Sequence, residues 1–266
     1  MKLTVLTENM AGDKYLAEHG LSYLIEHDGK NILFDTGHSS VFFVNSILLG
    51  LSIKNSIDTV VLSHGHWDHG NGLEFIINKT LITHPKSFIK RYRKGSQHNI
   101  GLSLSKSEVE NKFNLIETET PYYITKNIIF LGEIPRENEF ESQITSFIDD
   151  YGKDDFVLDD SALAIIQDNK LIIVTGCSHS GICNIIHYAK QVTGIHSIKV
   201  VIGGFHLKNN DLQTQKTIEY IKKQKVEQVF PSHCTELPAL SALNSAFHCR
   251  QVKTGQVFDF KLRISI

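Results

Sequence analysis

The chain has no long apolar run, no excess of charge of either sign and no cysteine framework. Its apolar stretches are only a few residues long, far short of the roughly 18 needed to span a bilayer. Lys and Arg number 27 against 29 Asp and Glu, a formal net charge of -2. That balance gives no global electrostatic reason to bind nucleic acid or a membrane surface. The four cysteines, Cys177, Cys183, Cys234 and Cys249, show no CxxC or zinc-ribbon spacing, so free thiols are expected rather than disulfides. The opening MKLTVLTENM has one Lys, a short core of Leu3 to Leu6 broken by Thr4 and no small-residue cleavage site, so it reads as a first strand and not a signal peptide. The expected address is cytoplasmic. At 266 residues the chain is long enough to bury roughly 75% of its unfolded surface without cross-links.

What the chain does have is histidine, 14 in all, gathered just after short apolar strands. In α/β proteins those strand ends carry the chemistry. Strands are expected at Lys2 to Thr7, Leu21 to Glu26, Asn31 to Phe34 and Thr59 to Ser63. Val41 to Leu51 reads as a helix, and Leu73 to Asn78 as the start of another. The same grammar returns later. Ala162 to Gln167 and Lys170 to Thr175 pair about Asp168-Asn169, as the earlier strands pair about Asp28-Gly29. A helix over Ile182 to Val192, a strand over Lys199 to Ile202 and a helix capped by Asp211 follow. Val226 to Phe230 is a further strand, Pro238 opens a further helix, and Thr254-Gly255 turns a final hairpin. EHDGKNILFDTGHSS and QDNKLIIVTGCSHSG match well enough to suggest a weak internal duplication whose halves face each other across a cleft. Residues 1–266 are expected to form one domain. The polar stretch Pro85 to Asp155 is expected to be an excursion that covers the cleft.

The strongest chemical signal is Ser63-His64-Gly65-His66-Trp67-Asp68-His69-Gly70. Imidazoles and a carboxylate this dense on one loop form a metal-binding arrangement, and alternate residues can serve two adjacent positions. Later strand ends offer Cys177, His179, His206 and His233. Cys177 could ligate or bridge as a thiolate, or simply pack. Asp160 could ligate or cap a turn. His206 could bind metal, touch substrate as a proton donor, or lie solvated at a strand end. His19, His27, His98, His187, His196 and His248 are assigned no chemistry. Arg91, Arg93 and Lys94 could draw a phosphate to the cleft mouth or form a solvated face.

The segment HGHWDHG after a buried strand resembles the HxHxDH signature of the metallo-β-lactamase superfamily. Phe34-Asp35-Thr36-Gly37 and the His233 of Phe230-Pro231-Ser232-His233 are similar to other landmarks of that family. The resemblance covers nearly the whole chain and implies a four-layer αββα sandwich. It also implies one or two divalent ions, zinc first and manganese or iron as alternatives, held by His64, His66, Asp68, His69, His179 and His233. Asp35 is then expected to steady a ligand imidazole. The family's usual bridging aspartate is replaced by Cys177, and its usual third histidine by Asp159-Asp160. GEIPRENEFE, LDDSALAI, TGCSHSGI, GGFHL and PSHCTE further resemble proteins labelled 7,8-dihydropterin-6-methyl-4-(β-D-ribofuranosyl)aminobenzene 5′-phosphate synthase. The expected activity is hydrolysis of a phosphoester or related ester by a metal-bound hydroxide, with Asp68 and His206 as catalytic residues. A synthase releasing diphosphate and a catalytically idle metal-binding or regulatory protein are the alternatives. The expected partner is a small anionic or phosphate-bearing molecule.

Overall fold

The computed structural model describes residues 1–260. Two sheets lie face to face with helices on their outer sides. The first sheet has the order β15-β1-β2-β3-β4-β5-β7. Its strands are β1 (Lys2–Thr7), β2 (Ser22–His27), β3 (Lys30–Phe34), β4 (Thr59–Val61), β5 (Lys79–Thr83), β7 (Phe113–Glu117) and β15 (Val257–Asp259). The second has the order β14-β13-β12-β11-β9-β8. It comprises β8 (Tyr122–Thr125), β9 (Ile128–Phe130), β11 (Ala162–Gln167), β12 (Lys170–Thr175), β13 (Ile198–Gly204) and β14 (Gln228–Ser232). A separate ribbon pairs β6 (Arg91–Arg93) with β10 (Phe147–Asp149).

Period-two alternation decides the layering. Tyr23, Ile25, Ile32 and Phe34 point inward and meet Leu163, Ile165, Ile172 and Val174 of the facing sheet. The intervening Leu24 and Leu33 point outward, under the helices α1 (Val41–Leu48), α2 (Ile53–Ser56) and α4 (Lys106–Lys112). On the other outer side, Ala164, Ile173 and Val201 pack under α5 (Ile182–Thr193), α6 (Leu212–Lys223) and α7 (Leu237–Phe247). This is the αββα sandwich. Both hairpins turn through left-handed pairs, Asp28-Gly29 (φ 49° and 71°) and Asp168-Asn169 (φ 53° and 57°), which suit the twist of the strands they join. In each half the hairpin is followed by parallel strands: β3-β4-β5 in one, β12-β13-β14 in the other. The carboxyl ends of β4, β12, β13 and β14 deliver the histidine-bearing turns.

Three expectations differ from the fold. Leu73 to Asn78 is not a helix. A 3-10 turn over Asn71–Phe75 gives way at the left-handed Asn78 (φ 56°) to β5, leaving too few residues for a stable α-helix. The turn at Thr254-Gly255 leads not to a local hairpin but to β15, which pairs with β1. The stretch from Pro85 to Asp155 is only partly an excursion. Its apolar runs supply β7 to the first sheet and β8 and β9 to the second, while the β6-β10 ribbon lies beside the cleft. Among the described residues no helix is long and apolar enough to cross a membrane.

Candidate metal centre

The loop after β4 makes a tight descent into the interior. Gly65 is required there, because a Cβ would stand 1.8 Å from the carbonyl oxygen of Ser87. Its amide donates to Asp159 Oδ2 at 2.7 Å, and this pins the backbone between His64 and His66. A short helix α3 (Trp67–Gly70) then carries Asp68 and His69 inward.

Two groups form. His64 and His66 meet His179 from the turn after β12, while Asp68 and His69 meet His233 from the turn after β14. His64 Nε2 lies 2.9 Å from His66 Nδ1, and His69 Nε2 lies 3.0 Å from His233 Nε2. Two nitrogens on one tetrahedral ion, each about 2.0–2.1 Å from it, sit about 3.3 Å apart. The spacing is therefore close to that of a ligand edge. His179 Nε2 is buried with no hydrogen-bond partner. Burial, reinforced by neighbouring charges, holds His64, His66 and His179 well below the usual histidine range, so they present lone pairs. The residues fit a divalent cation.

The second group is more polar. His69 Nδ1 is 2.7 Å from Asp35 Oδ2, and Asp35 also accepts from the amide and hydroxyl of Ser63, each at 2.7 Å. These contacts hold Asp35 in a left-handed conformation (φ 55°) and direct His69 Nε2 toward His233. Burial works against a charge on His69, but Asp35 and Asp68 outweigh it and push its pKa up to about 9. In the metal-free chain a proton there supplies the positive charge that the two carboxylates demand. A metal ion would replace it. Burial would likewise raise Asp68, but His69, His19 and His233 hold its carboxyl well below the ordinary range.

Of the residues expected here, Asp160 does not join either group. One of its oxygens accepts from the amide and hydroxyl of Ser180 (2.9 and 2.5 Å), so it braces the turn that leads into α5. Cys177 does approach the centre, with Sγ 3.2 Å from His69 Nε2. His206 lies beside His179, ring centroids 4.3 Å apart, and its buried Nδ1 has no partner. Arg91 is not at the cleft mouth. It is fully buried, paired with Asp155 (3.1 Å) and Asp159 (2.8 Å), so it fixes the flanking ribbon rather than attracting a ligand. Lys94 pairs with Asp154, and of the three cations only Arg93 lines the cleft.

The structure also brings in residues that the sequence pattern did not mark. His19 Nε2 is 3.1 Å from Asp68 Oδ2, and His233 Nδ1 is 2.9 Å from Asn9 Oδ1. Glu8 accepts from the amide of His233. Cys234 follows His233 and faces Cys177 and His206. Above the two groups opens a cleft of about 620 Å³, walled by Trp67, Phe140, Phe147 and Phe156, with Arg93 and Lys208 on its rim.

Residues 16–86, which include the loop after β4, match the metallo-β-lactamase superfamily. Over 98% of its length the chain is 34% identical to the 7,8-dihydropterin-6-methyl-4-(β-D-ribofuranosyl)-aminobenzene-5′-phosphate synthase of Methanocaldococcus jannaschii, covering 97% of that protein. The chain belongs to the metallo-β-lactamase superfamily. Among other superfamily relatives, an uncharacterized protein of the same archaeon is 39% identical over 91% of this chain and 93% of its own length. The crystal structure of Tm1679, a metal-dependent hydrolase of the β-lactamase superfamily, superposes with a TM-score of 0.87 at 28% identity. The match covers 97% of this chain and 98% of that one.

Proposed function

We propose that this chain is a metal-dependent hydrolase of a phosphoester or related ester, with zinc as the resident ion at one or two positions. The observation that carries the reading is the convergence of neutral, lone-pair-bearing imidazoles and the Asp68 carboxylate beneath a cleft whose rim bears Arg93 and Lys208. His64, His66 and His179 would hold one ion, and Asp68, His69 and His233 another. Manganese or iron would also suit the Asp68 group, which offers a hard carboxylate oxygen. A divalent ion held there supplies Lewis acidity and makes water nucleophilic near neutral pH.

The remaining work falls to the chain itself. Asp68, acidic and fixed by His19 and His233, orients the attacking water. Arg93 and Lys208 receive the anionic part of the substrate through charge-assisted hydrogen bonds. The aromatic walls exclude bulk water and hold the substrate body. His206 stands at the edge of the cleft, where a ring N–H would give a proton to the departing oxygen.

A second reading rests on the full-length similarity to the synthase. There the same groups would bind a departing diphosphate, and an aromatic amine would replace water as nucleophile. The zinc-loaded protein, given a panel of phosphoesters, thioesters and lactones with and without an arylamine, separates the two. Product release with water alone is expected. Strict dependence on the amine, with no hydrolysis across the panel, would promote the synthase.

A further inference from the structure

Beside the two groups already described, Cys177, His206 and Cys234 place their ligand atoms all within 4.8 Å of one another. These residues come from three successive parallel strands, following β12, β13 and β14. The Cys234 sulfur occupies a pocket made by an absent side chain: a Cβ on Gly204 would stand 2.5 Å from it. His206 contributes a buried Nδ1 with no partner, and its backbone is left-handed at φ 50°. Such a conformation in a non-glycine residue persists only where surrounding structure enforces it. All three residues line the cleft.

We propose that Cys177, His206 and Cys234 form a third cation site, for a soft, thiophilic divalent ion, at the solvent-facing side of the buried centre. Thiolate sulfurs bind zinc at about 2.3 Å, which puts two of them about 3.7 Å apart on a tetrahedral ion. The 4.8 Å limit accommodates that edge with a small closing movement. Two thiols release two protons to solvent as the ion binds, and the resulting pair of thiolates neutralises it, with one coordination position left toward the cleft. The donor set also discriminates. Two sulfurs and one nitrogen favour zinc or cadmium over manganese or magnesium, whereas the Asp68 group contains a hard oxygen. Cys177 is shared, because it also touches His69. The outer site is therefore a waypoint between solvent and the buried ligands. This holds whichever reaction the cleft carries out.

The test uses the full-length, metal-free chain titrated with Cd²⁺, reading ions bound per chain and the thiolate-to-cadmium charge-transfer absorbance. Cys234→Ser should bind one ion fewer than the unaltered chain and lose at least half of that absorbance, since Cys177 would then meet cadmium only beside His69. His66→Ala should lose an ion while keeping the absorbance. An unchanged count and absorbance in Cys234→Ser would overturn the proposal. So would loss of every ion from a folded Cys234→Ser, which would place Cys234 in the same centre as the histidines. A measurement on the unaltered chain guards against a variant that fails to fold. Cd²⁺ should protect Cys234 from maleimide alkylation, mapped by mass spectrometry, and equal alkylation with and without Cd²⁺ would also overturn the site. A chain that binds the third ion but hydrolyses nothing would sink the proposed function and leave this site standing.

Discussion

At the scale of single residues, the centre is governed by which imidazoles carry protons. In the metal-free chain His64, His66 and His179 are neutral, held there first by burial. Unfolded, they would titrate at about 6.5. Below that pH the unfolded chain binds more protons than the folded one, so stability falls as the solution is acidified. His69 works in the opposite direction. Its folded pKa of about 9 gives stability that is complete below its unfolded value and is lost as pH rises through 9. Urea midpoints measured in chelator should therefore decline on both sides of neutrality, and a flat midpoint between neutral and pH 5 would contradict the burial argument. Asp35→Asn should weaken metal binding by roughly 10–100-fold in a chelator competition, because the amide no longer fixes the His69 tautomer. His66→Ala should lower bound metal, whereas His248→Ala should leave it unchanged, since His248 only ends α7 in a left-handed cap. The six residues of the two groups were legible in the sequence because His64 to His69 lie together and His179 and His233 follow apolar strands. His19, Asn9 and Glu8 were not. They reach the centre only through tertiary contact with Asp68 and His233, and nothing in an irregular segment announces such a contact.

At the scale of elements, alternation and turn chemistry read correctly for the well-buried strands and for the two hairpins that carry Asp-Gly or Asp-Asn. They missed β5 and the half-exposed β7 and β8, and they misread one short apolar run as a helix. Leu73 to Asn78 has helical-looking apolar spacing, yet Phe75 and Ile77 are exposed and the chain bends into β5. The runs FNLIE and NIIFLG sit inside a polar stretch, and their burial depends on sheet edges contributed by distant parts of the chain. One connection between elements has energetic weight. Arg91 of β6 holds Asp159, and Asp159 holds the amide of Gly65 between two histidines. Breaking a buried pair by removing one partner costs about 3–5 kcal/mol. Arg91→Met should destabilise the metal-free fold by that order in urea denaturation. Asp159→Asn should in addition weaken metal binding, because the amide can no longer anchor Gly65 as a carboxylate does. Equal metal affinity in Asp159→Asn and the unaltered chain would show that the loop is held by packing against Ser87 alone.

At the scale of the whole molecule, the cleft is closed on one side by the β6-β10 ribbon and the segment holding Phe140 and Phe156. Limited proteolysis at the exposed tip around Gly152 should alter substrate preference more than metal content, because the tip touches none of the ligand groups. Loss of bound metal in step with nicking would mean that the ribbon acts through Arg91 on the whole loop.

Both ligand groups draw on both halves of the sandwich: His64 and His66 need His179, and Asp68 and His69 need His233. Neither half by itself completes either of these two groups. Capture of an ion by these two groups would thus need a fully docked chain, and the order of assembly is written into the wiring. Closing such distant segments is slow, since loop-closure entropy is lost before contacts repay it. During synthesis the first half must wait, with its histidines competent but unpartnered, until the last parallel strand leaves the ribosome. Once the sandwich shuts, an ion held there would act as a latch, tying ligands of one half to those of the other.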